Sequence, residues 1–212
     1  MNSSPAWTIR AIDGPAGRLE VLLDTPTSSP RAVAVLAHPH PQHGGTMHNK
    51  VVYRSAKTLA QIGCATLRFN FRGVGKSEGD YDEGRGEAED FRAAIDWATG
   101  QYPDIAVWAA GFSFGAWIAL TVGATDARVH LLFGIAPPTH YDLDDLRRST
   151  KPKLLIHGEA DELIPLQDMW KLYGELEEPK ELVVIDAADH LFNGKVSEVG
   201  EAIEDLLGDF QI

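Results

Sequence analysis

Short apolar runs alternate along this chain with longer segments whose apolar residues recur at helical spacing. Six runs are continuous enough to be buried strands, at residues 32–37, 65–71, 105–110, 129–135, 153–157 and 182–185. Helical spacing is found at residues 50–62, 86–99, 114–124 and 166–176, and in a last helix that carries Val196, Val199, Ile203 and Leu206. Uninterrupted apolar strands separated by helices are typical of a parallel sheet that is covered on both faces. The sequence therefore predicts the α/β class, with a doubly wound, mostly parallel sheet and helices on both faces.

The first thirty residues follow a different pattern. Residues 7–12 and 19–24 flank a glycine- and proline-containing turn at 14–17, which indicates an antiparallel hairpin. The gap between residues 135 and 153 is too short for an inserted lid domain. We therefore expect a single domain over residues 1–212, in which an N-terminal antiparallel hairpin leads into the sheet and no lid covers it.

Composition and charge exclude several classes of protein. The 212 residues carry a formal net charge of -12, without the clustered positive field that nucleic-acid binding requires. No apolar stretch approaches the roughly 18 residues of a membrane span, and residues 1–5 lack the features of a signal peptide. We expect a cytoplasmic protein without a nucleic-acid or membrane partner, and the oligomeric state stays open. Cys64, the one cysteine, is expected to be a small buried apolar residue.

A Gly-Phe-Ser-Phe-Gly segment at residues 111–115 joins the third apolar run to the following helix. A G-x-S-x-G turn between a strand and a helix is typical of a nucleophilic serine on a tight, strained turn. Small residues on both sides allow neighbouring backbone to approach, and the helix N-terminus supplies N–H donors for a developing oxyanion. The alternative is an ordinary turn in which Ser113 only caps the helix.

A nucleophilic serine needs a base to take its proton, and a carboxylate that holds the base in the correct tautomer. In this kind of fold the chain order is serine, then the acid, then histidine. His190 is the only histidine downstream of Asp161, so it is the predicted base. Asp161, in the loop after the run 153–157, is the preferred acid. Glu159 and Glu162 in the same loop remain as alternatives.

The other candidate site is a group of histidines near the start of the sheet: His38, His40, His43 and His48. Two prolines separate them, no cysteine joins them, and no helical histidine pair with a glutamate is present. Lys76 and Ser77 end a sequence like a phosphate-binding loop, but its first glycine would fall on Asn70. The sequence therefore predicts no metal and no cofactor.

Three segments together resemble small bacterial α/β-hydrolases, relatives of dienelactone hydrolase and of the serine-peptidase-like branch. They are HPHPQHGGTM at residues 38–47, FNFRGVGKSEG at 69–79 and GFSFG at 111–115. The resemblance covers about residues 33–192 and implies the α/β-hydrolase fold without a lid. The chain departs from dienelactone hydrolase in having Ser113 where that enzyme has a nucleophilic cysteine.

The resemblance also implies an oxyanion hole made of two backbone N–H groups. One belongs to the residue after the nucleophile, Phe114. The other comes from the loop after the first parallel strand, where Pro39 and Pro41 have no N–H to donate. His40 or Gln42 must supply it, and we favour His40.

Short loops predict an open, shallow site. Four side chains are expected to line the approach to the serine: Phe112, Tyr141, Leu163 and Phe192. The predicted function is a serine hydrolase that cleaves small carboxylic ester bonds, or thioester or amide bonds, through an acyl-enzyme on Ser113, with a small-molecule ester as its partner. The alternatives are a catalytically inactive binding protein on the same fold and a metal-dependent protein built on the early histidines.

Overall fold

The structure, a computed structural model, describes residues 6–208 and residue 210. The described residues form eight strands: β1 (Ala6–Gly14), β2 (Gly17–Thr25), β3 (Ala32–Ala37), β4 (Cys64–Phe69), β5 (Val107–Phe112), β6 (Val129–Ile135), β7 (Lys153–Gly158) and β8 (Lys180–Ile185). The helices between them are α1 (Lys50–Gln61), α2 (Arg85–Gln101), α3 (Phe114–Thr125), α4 (Asp144–Arg148), α5 (Leu166–Glu175) and α6 (Val196–Leu207).

The strands form one sheet in the order β1-β2-β4-β3-β5-β6-β7-β8. β1 pairs with β2 and β2 with β4 in antiparallel fashion, whereas β3 and β4 to β8 are parallel to one another. This confirms a mostly parallel sheet with an N-terminal antiparallel hairpin. Because the parallel strands run in one direction, their carboxyl ends lie along a single edge, where loops can bring distant residues together.

Each central strand contributes to two separate cores, one on each face of the sheet. In β3, Val33 and Val35 face the core covered by α2 and α3, and Ala34 and Leu36 face the core covered by α1 and α6. We call these the α2–α3 face and the α1–α6 face. Cys64 lies fully buried on the α1–α6 face, as predicted for a small apolar residue. Its burial raises the pKa of the thiol to about 12. No helix among the described residues is long and apolar enough to cross a membrane.

The observed strand ends set the position of the site. β3 and β6 have the predicted bounds, but β5 begins and ends two residues later than predicted, since Gly111 still pairs with Ala37 of β3. Ser113 is consequently the first residue after the strand. Between β6 and β7 the only described helix is α4, so the predicted absence of a lid is confirmed.

The loop after β4 is fastened to α2 by a buried ion pair. The guanidinium of Arg72 donates to both carboxylate oxygens of Asp90, with Nη2 2.7 Å from Oδ1, and the Arg72 N–H also donates to Asp90. Asp90 is completely buried. The glycine-rich segment after Arg72 is therefore held by structural contacts.

Candidate active site

Ser113 lies at the tight turn between β5 and α3. Its φ of 55° and ψ of -123° are unusual for a residue with a side chain and cost on the order of 1–3 kcal/mol. The Ser113 N–H donates to the carbonyl oxygen of Ile135 at 2.8 Å. A Cβ on Gly111 would overlap the carbonyl group of Gly115, and a Cβ on Gly115 would overlap that of His38. The predicted need for small residues on both sides is thus confirmed, and the turn presents the hydroxyl at the carboxyl edge of the sheet.

The Ser113 hydroxyl is hydrogen-bonded to an imidazole, and that imidazole to a carboxylate. Ser113 Oγ lies 2.9 Å from His190 Nε2, and His190 Nδ1 lies 2.7 Å from Asp161 Oδ2. His190 is 8% exposed and Asp161 is 4% exposed. Because an ionised carboxylate can only accept, Nδ1 carries the proton and Nε2 is left to accept from the serine. The structure therefore brings together the three residues indicated by the sequence, which follow β5, β7 and β8.

Asp161 is fixed by the loop that carries it. Its Oδ1 accepts the N–H groups of Leu163 at 2.9 Å and Ile164 at 2.8 Å. Burial acts to raise the pKa of Asp161, but hydrogen bonds from His190 and from the Ile164 N–H outweigh it and hold this pKa below its ordinary value. Asp161 is therefore ionised at neutral pH, as the orienting role requires.

The neighbouring carboxylates have other contacts. Glu159 accepts the N–H of Ala187 at 2.9 Å, and Glu162 is exposed. Asp189 accepts both the backbone N–H and the side-chain amide of Asn193, which stabilises the turn after β8. Asp161 is thus the one acid of its loop at hydrogen-bond distance from His190.

A second buried histidine, His157, supports the Asp161 loop. Its Nε2–H donates to the carbonyl oxygen of Ile164 at 2.8 Å. Burial lowers the pKa of His157, which keeps the ring neutral. The His157 Nε2 is 3.8 Å from Asp161 Oδ2, too far for a hydrogen bond, so His157 positions the acid without competing for it.

Two backbone N–H groups lie where the resemblance implies an oxyanion hole. Phe114 begins α3, so its N–H precedes the helical hydrogen bonds, and His40 precedes a short 3-10 helix, Pro41–His43. Among the described residues, no protein acceptor pairs with either N–H. The Gln42 N–H instead donates to His40 Nδ1 at 3.2 Å. Of the two candidates in this loop, His40 is therefore the one whose N–H is available.

His38, at the start of the same loop, has both ring nitrogens engaged. Nδ1–H donates to the Pro39 carbonyl at 2.6 Å, and Nε2 accepts the Phe71 N–H at 3.1 Å. Burial lowers the pKa of His38 to about 4, so the ring is neutral and neither nitrogen is available to a metal. Across residues 6–208 and 210, no group of three or more His, Cys, Asp or Glu side chains could hold a metal ion.

The far end of this loop is fastened to β4 at Met47. The Met47 N–H donates to Asn70 Oδ1 at 2.8 Å, and Arg68 Nη1 donates to the Met47 carbonyl at 2.9 Å. Arg68 is itself buried and paired with Asp24 at 2.8 Å. Both ends of the loop are therefore fixed, which preorganises the His40 backbone.

Of the four side chains expected to line the approach, two lie in the core instead. Phe112 and Phe192 are fully buried on the α1–α6 face, and the Phe112 ring centroid is 5.7 Å from that of His190. This corrects the expectation for both rings, because a side chain without exposed surface supports the base from inside and offers no contact to a ligand. Leu163 is 68% exposed and Tyr141 is half-buried, so these two retain free surface.

Two aromatic residues near the site were missed by the sequence analysis. The hydroxyl of Tyr81, in the loop between β4 and α2, lies 3.2 Å from His40 Nε2. The ring of Trp117 stacks on Tyr141, with centroids 4.2 Å apart and planes 14° from parallel. Trp117 follows Phe114 by three residues on α3, and this spacing was the one available signal. Nothing in the sequence links Tyr81 to the site.

The strand order and the serine turn after β5 define the class of protein: it has the α/β-hydrolase fold without a lid. Residues 13–140 match the model of the X-Pro dipeptidyl-peptidase (S15) family, Peptidase_S15. The chain belongs to this family.

Similar proteins share nearly the whole chain. It is 37% identical to the uncharacterized protein RP471 of Rickettsia prowazekii, over 92% of this chain and 86% of that protein. An alpha-beta serine hydrolase homologue from Coxiella burnetii is 40% identical with a TM-score of 0.90, over 94% of this chain and 97% of that chain. XC6422 from Xanthomonas campestris, a serine hydrolase without a lid, is 36% identical with a TM-score of 0.88, over 94% and 92% of the two chains. The protein is accordingly an enzyme of the serine hydrolase kind.

Proposed function

We propose that this enzyme hydrolyses small carboxylic esters through an acyl-enzyme on Ser113. The observation that carries the proposal is the continuous hydrogen-bond chain from Ser113 Oγ to His190 and on to Asp161, at 2.9 Å and 2.7 Å. The strained backbone of Ser113 favours catalysis over a binding protein without activity, because backbone strain of this kind is concentrated at functional sites.

In the first half-reaction, Ser113 Oγ attacks the ester carbonyl carbon while His190 Nε2 takes the hydroxyl proton. The carbonyl oxygen becomes an oxyanion and accepts the N–H groups of His40 and Phe114, and the helix N-terminus behind Phe114 adds a favourable dipole. Asp161 stabilises the positive charge that forms on the imidazole. His190 then gives its proton to the leaving alkoxide oxygen, the carbon–oxygen bond of the ester breaks, and the alcohol departs.

In the second half-reaction, water replaces the alcohol. His190 takes a proton from the water as its oxygen attacks the acyl carbon, and the same two N–H groups accept the new oxyanion. Collapse of this intermediate breaks the bond to Ser113 Oγ, which recovers a proton from His190. The carboxylic acid is released and the enzyme returns to its starting state.

The open surroundings of the site support the choice of small esters as substrates. The absence of a lid and the half-buried position of Ser113 suit small esters, and thioesters or amides would use the same residues. The family model takes its name from cleavage after an X-Pro dipeptide, which is an amide reaction. A proline-containing dipeptide anilide therefore belongs in the substrate panel beside nitrophenyl esters.

A fluorophosphonate probe tests the nucleophile. It should label the wild type, and labelling should be lost in Ser113→Ala and strongly slowed in His190→Ala. Ser197→Ala, on the exposed surface of α6, is the matched control and should label like the wild type. Equal labelling of the wild type and Ser113→Ala would disprove the assignment of the nucleophile.

Ester turnover tests the reaction. Loss of Ser113 should lower kcat/KM for 4-nitrophenyl butyrate by about 10³-fold or more. Faster turnover of the dipeptide anilide than of every ester would favour a peptidase. A labelled protein that turns over neither class of substrate would contradict the proposed activity.

A further inference from the structure

Five aromatic side chains form a continuous group beside Ser113, and the mechanism uses none of their rings. We call His40, Tyr81, Phe114, Trp117 and Tyr141 the aromatic cluster. The ring centroid of Phe114 lies 4.9 Å from that of His40, 5.5 Å from that of Trp117 and 6.1 Å from that of Tyr81. Trp117 stacks in turn on Tyr141 at 4.2 Å. Four separate segments, which follow β3, β4, β5 and β6, therefore converge on one aromatic surface.

The cluster is continuous with the proposed oxyanion hole. His40 and Phe114 contribute rings to the cluster and, in the mechanism above, N–H groups to the oxyanion. Phe114 is buried and forms the base of the cluster, whereas His40, Tyr81, Trp117 and Tyr141 are half-buried and keep part of their surface free. A substrate held by the two N–H groups thus has these rings next to it.

Several polar atoms of the cluster are occupied by the protein. Trp117 Nε1–H donates to the carbonyl oxygen of Asp142 at 3.0 Å. His40 accepts a backbone N–H at Nδ1, so its Nε2 carries the proton and donates to the Tyr81 hydroxyl. One face of His40 is also covered, by the ring of His43 with centroids 4.4 Å apart, so a ligand meets the remaining ring surfaces and edges of the cluster.

The position of the cluster identifies which half of the ester it contacts. Tyr81, Phe114 and Trp117 belong to the α2–α3 face, whereas His190 sits beside Phe112 on the α1–α6 face. Because His190 protonates the leaving oxygen, the alcohol departs on the side of Ser113 where His190 lies. The part that stays on Ser113 is the acyl group, and it is directed to the other side.

We infer that the aromatic cluster is an acyl-binding site that selects esters of aromatic carboxylic acids. Ring pairs with centroids 4.5–7 Å apart gain affinity beyond that of apolar burial, through the complementary charge of ring edges and faces. A saturated ring of similar size buries at least as much apolar area but lacks this term. The inference rests on the proposed function for the orientation of the ester.

The kinetic test compares 4-nitrophenyl 3-phenylpropanoate with 4-nitrophenyl 3-cyclohexylpropanoate, which share a leaving group and differ only in the aromaticity of the acyl ring. The wild type should prefer the phenyl ester in kcat/KM by about threefold to tenfold. Trp117→Leu and Tyr81→Leu should each reduce this ratio toward one. Trp170→Leu, an exposed aromatic residue on α5 outside the cluster, should leave it unchanged. A wild-type ratio of one or less would overturn the inference, as would a ratio that both cluster variants preserve.

A binding measurement separates the inference from the proposed function. Ser113→Ala should bind methyl 3-phenylpropanoate more tightly than methyl 3-cyclohexylpropanoate in calorimetry. If that preference is found but the wild type hydrolyses neither nitrophenyl ester, the aromatic site stands and the esterase proposal fails. If the wild type hydrolyses both esters equally and Ser113→Ala has no preference, the esterase proposal stands and the aromatic site fails. Absence of both turnover and preferential binding would overturn both.

Discussion

Replacing Asp161 by asparagine keeps the shape of the site and changes which of its atoms can accept a hydrogen bond. Oδ1 of Asp161 accepts two backbone N–H groups, from Leu163 and Ile164, so the amide oxygen of the asparagine must take that position. The amide NH2 then faces His190 Nδ1 at the place of Oδ2, now 2.7 Å away. Nδ1 must become an acceptor, and the imidazole proton moves to Nε2, toward Ser113. The base is thereby blocked.

A wrong tautomer in such a triad lowers kcat by about 10⁴, which corresponds to ~5.5 kcal/mol of transition-state stabilisation. We expect a loss of this size for Asp161→Asn in stopped-flow hydrolysis of 4-nitrophenyl butyrate at pH 7.5. Glu159→Gln, in the same loop, should stay within about threefold of the wild type, because Glu159 contacts only the Ala187 N–H at the surface. In a His190→Ala background, Asp161→Asn should cost nothing further, since it acts through the imidazole. Retention of more than a tenth of wild-type activity by Asp161→Asn would refute this reasoning.

Three further predictions concern stability. Gly115→Ala should lower the free energy of unfolding by about 1–3 kcal/mol, because its Cβ would overlap the backbone of the loop after β3; an unchanged urea midpoint would contradict this. His38 has a pKa of about 4 in the folded chain and about 6.5 in the unfolded chain. Between these pH values the unfolded chain binds more protons than the folded chain. The free energy of unfolding therefore falls as the pH drops from 6.5 to 4, by up to ~3 kcal/mol. His38→Gln should lose correspondingly less stability over that range, and parallel pH profiles for the two proteins would argue against the buried neutral ring. Asp90→Asn leaves the Arg72 guanidinium without its counter-charge and should cost about 3–5 kcal/mol in urea denaturation, whereas a cost below about 1 kcal/mol would show that the pair is solvated.

Burial on both faces made the strands themselves predictable, and for β3 and β6 it also fixed their bounds. β3 and β6 have the predicted bounds because every residue of 32–37, and nearly every residue of 129–135, contributes to a core. The predicted bounds of β5 were two residues too early, because hydropathy does not show where the hydrogen bonds between two strands begin. Ile105 is apolar, but it is half-buried and precedes the strand. Gly111 is still paired within the strand.

The residues that face the site were harder to predict than the residues that follow the strands. Asp161 and His190 could be predicted because they follow Ser113 in the expected order and each comes after a predicted strand. Phe112 was misplaced because a strand that is buried on both faces gives no alternation to show which way its side chains point. Tyr81 lies in a long loop, and its place beside His40 depends on contacts between distant segments, which no local pattern encodes.

The last strand of the chain is also the edge of the sheet, and the base follows it. His190 is 77 residues beyond Ser113 and 29 beyond Asp161, and it is positioned only when β8 pairs with β7. Recovery of hydrolytic activity during refolding should therefore coincide with docking of the C-terminal segment, even where the central strands are already buried. The enzyme thus contains a natural reporter of complete assembly, since a chain with its core formed and its edge strand detached would have Ser113 in place and no base to activate it.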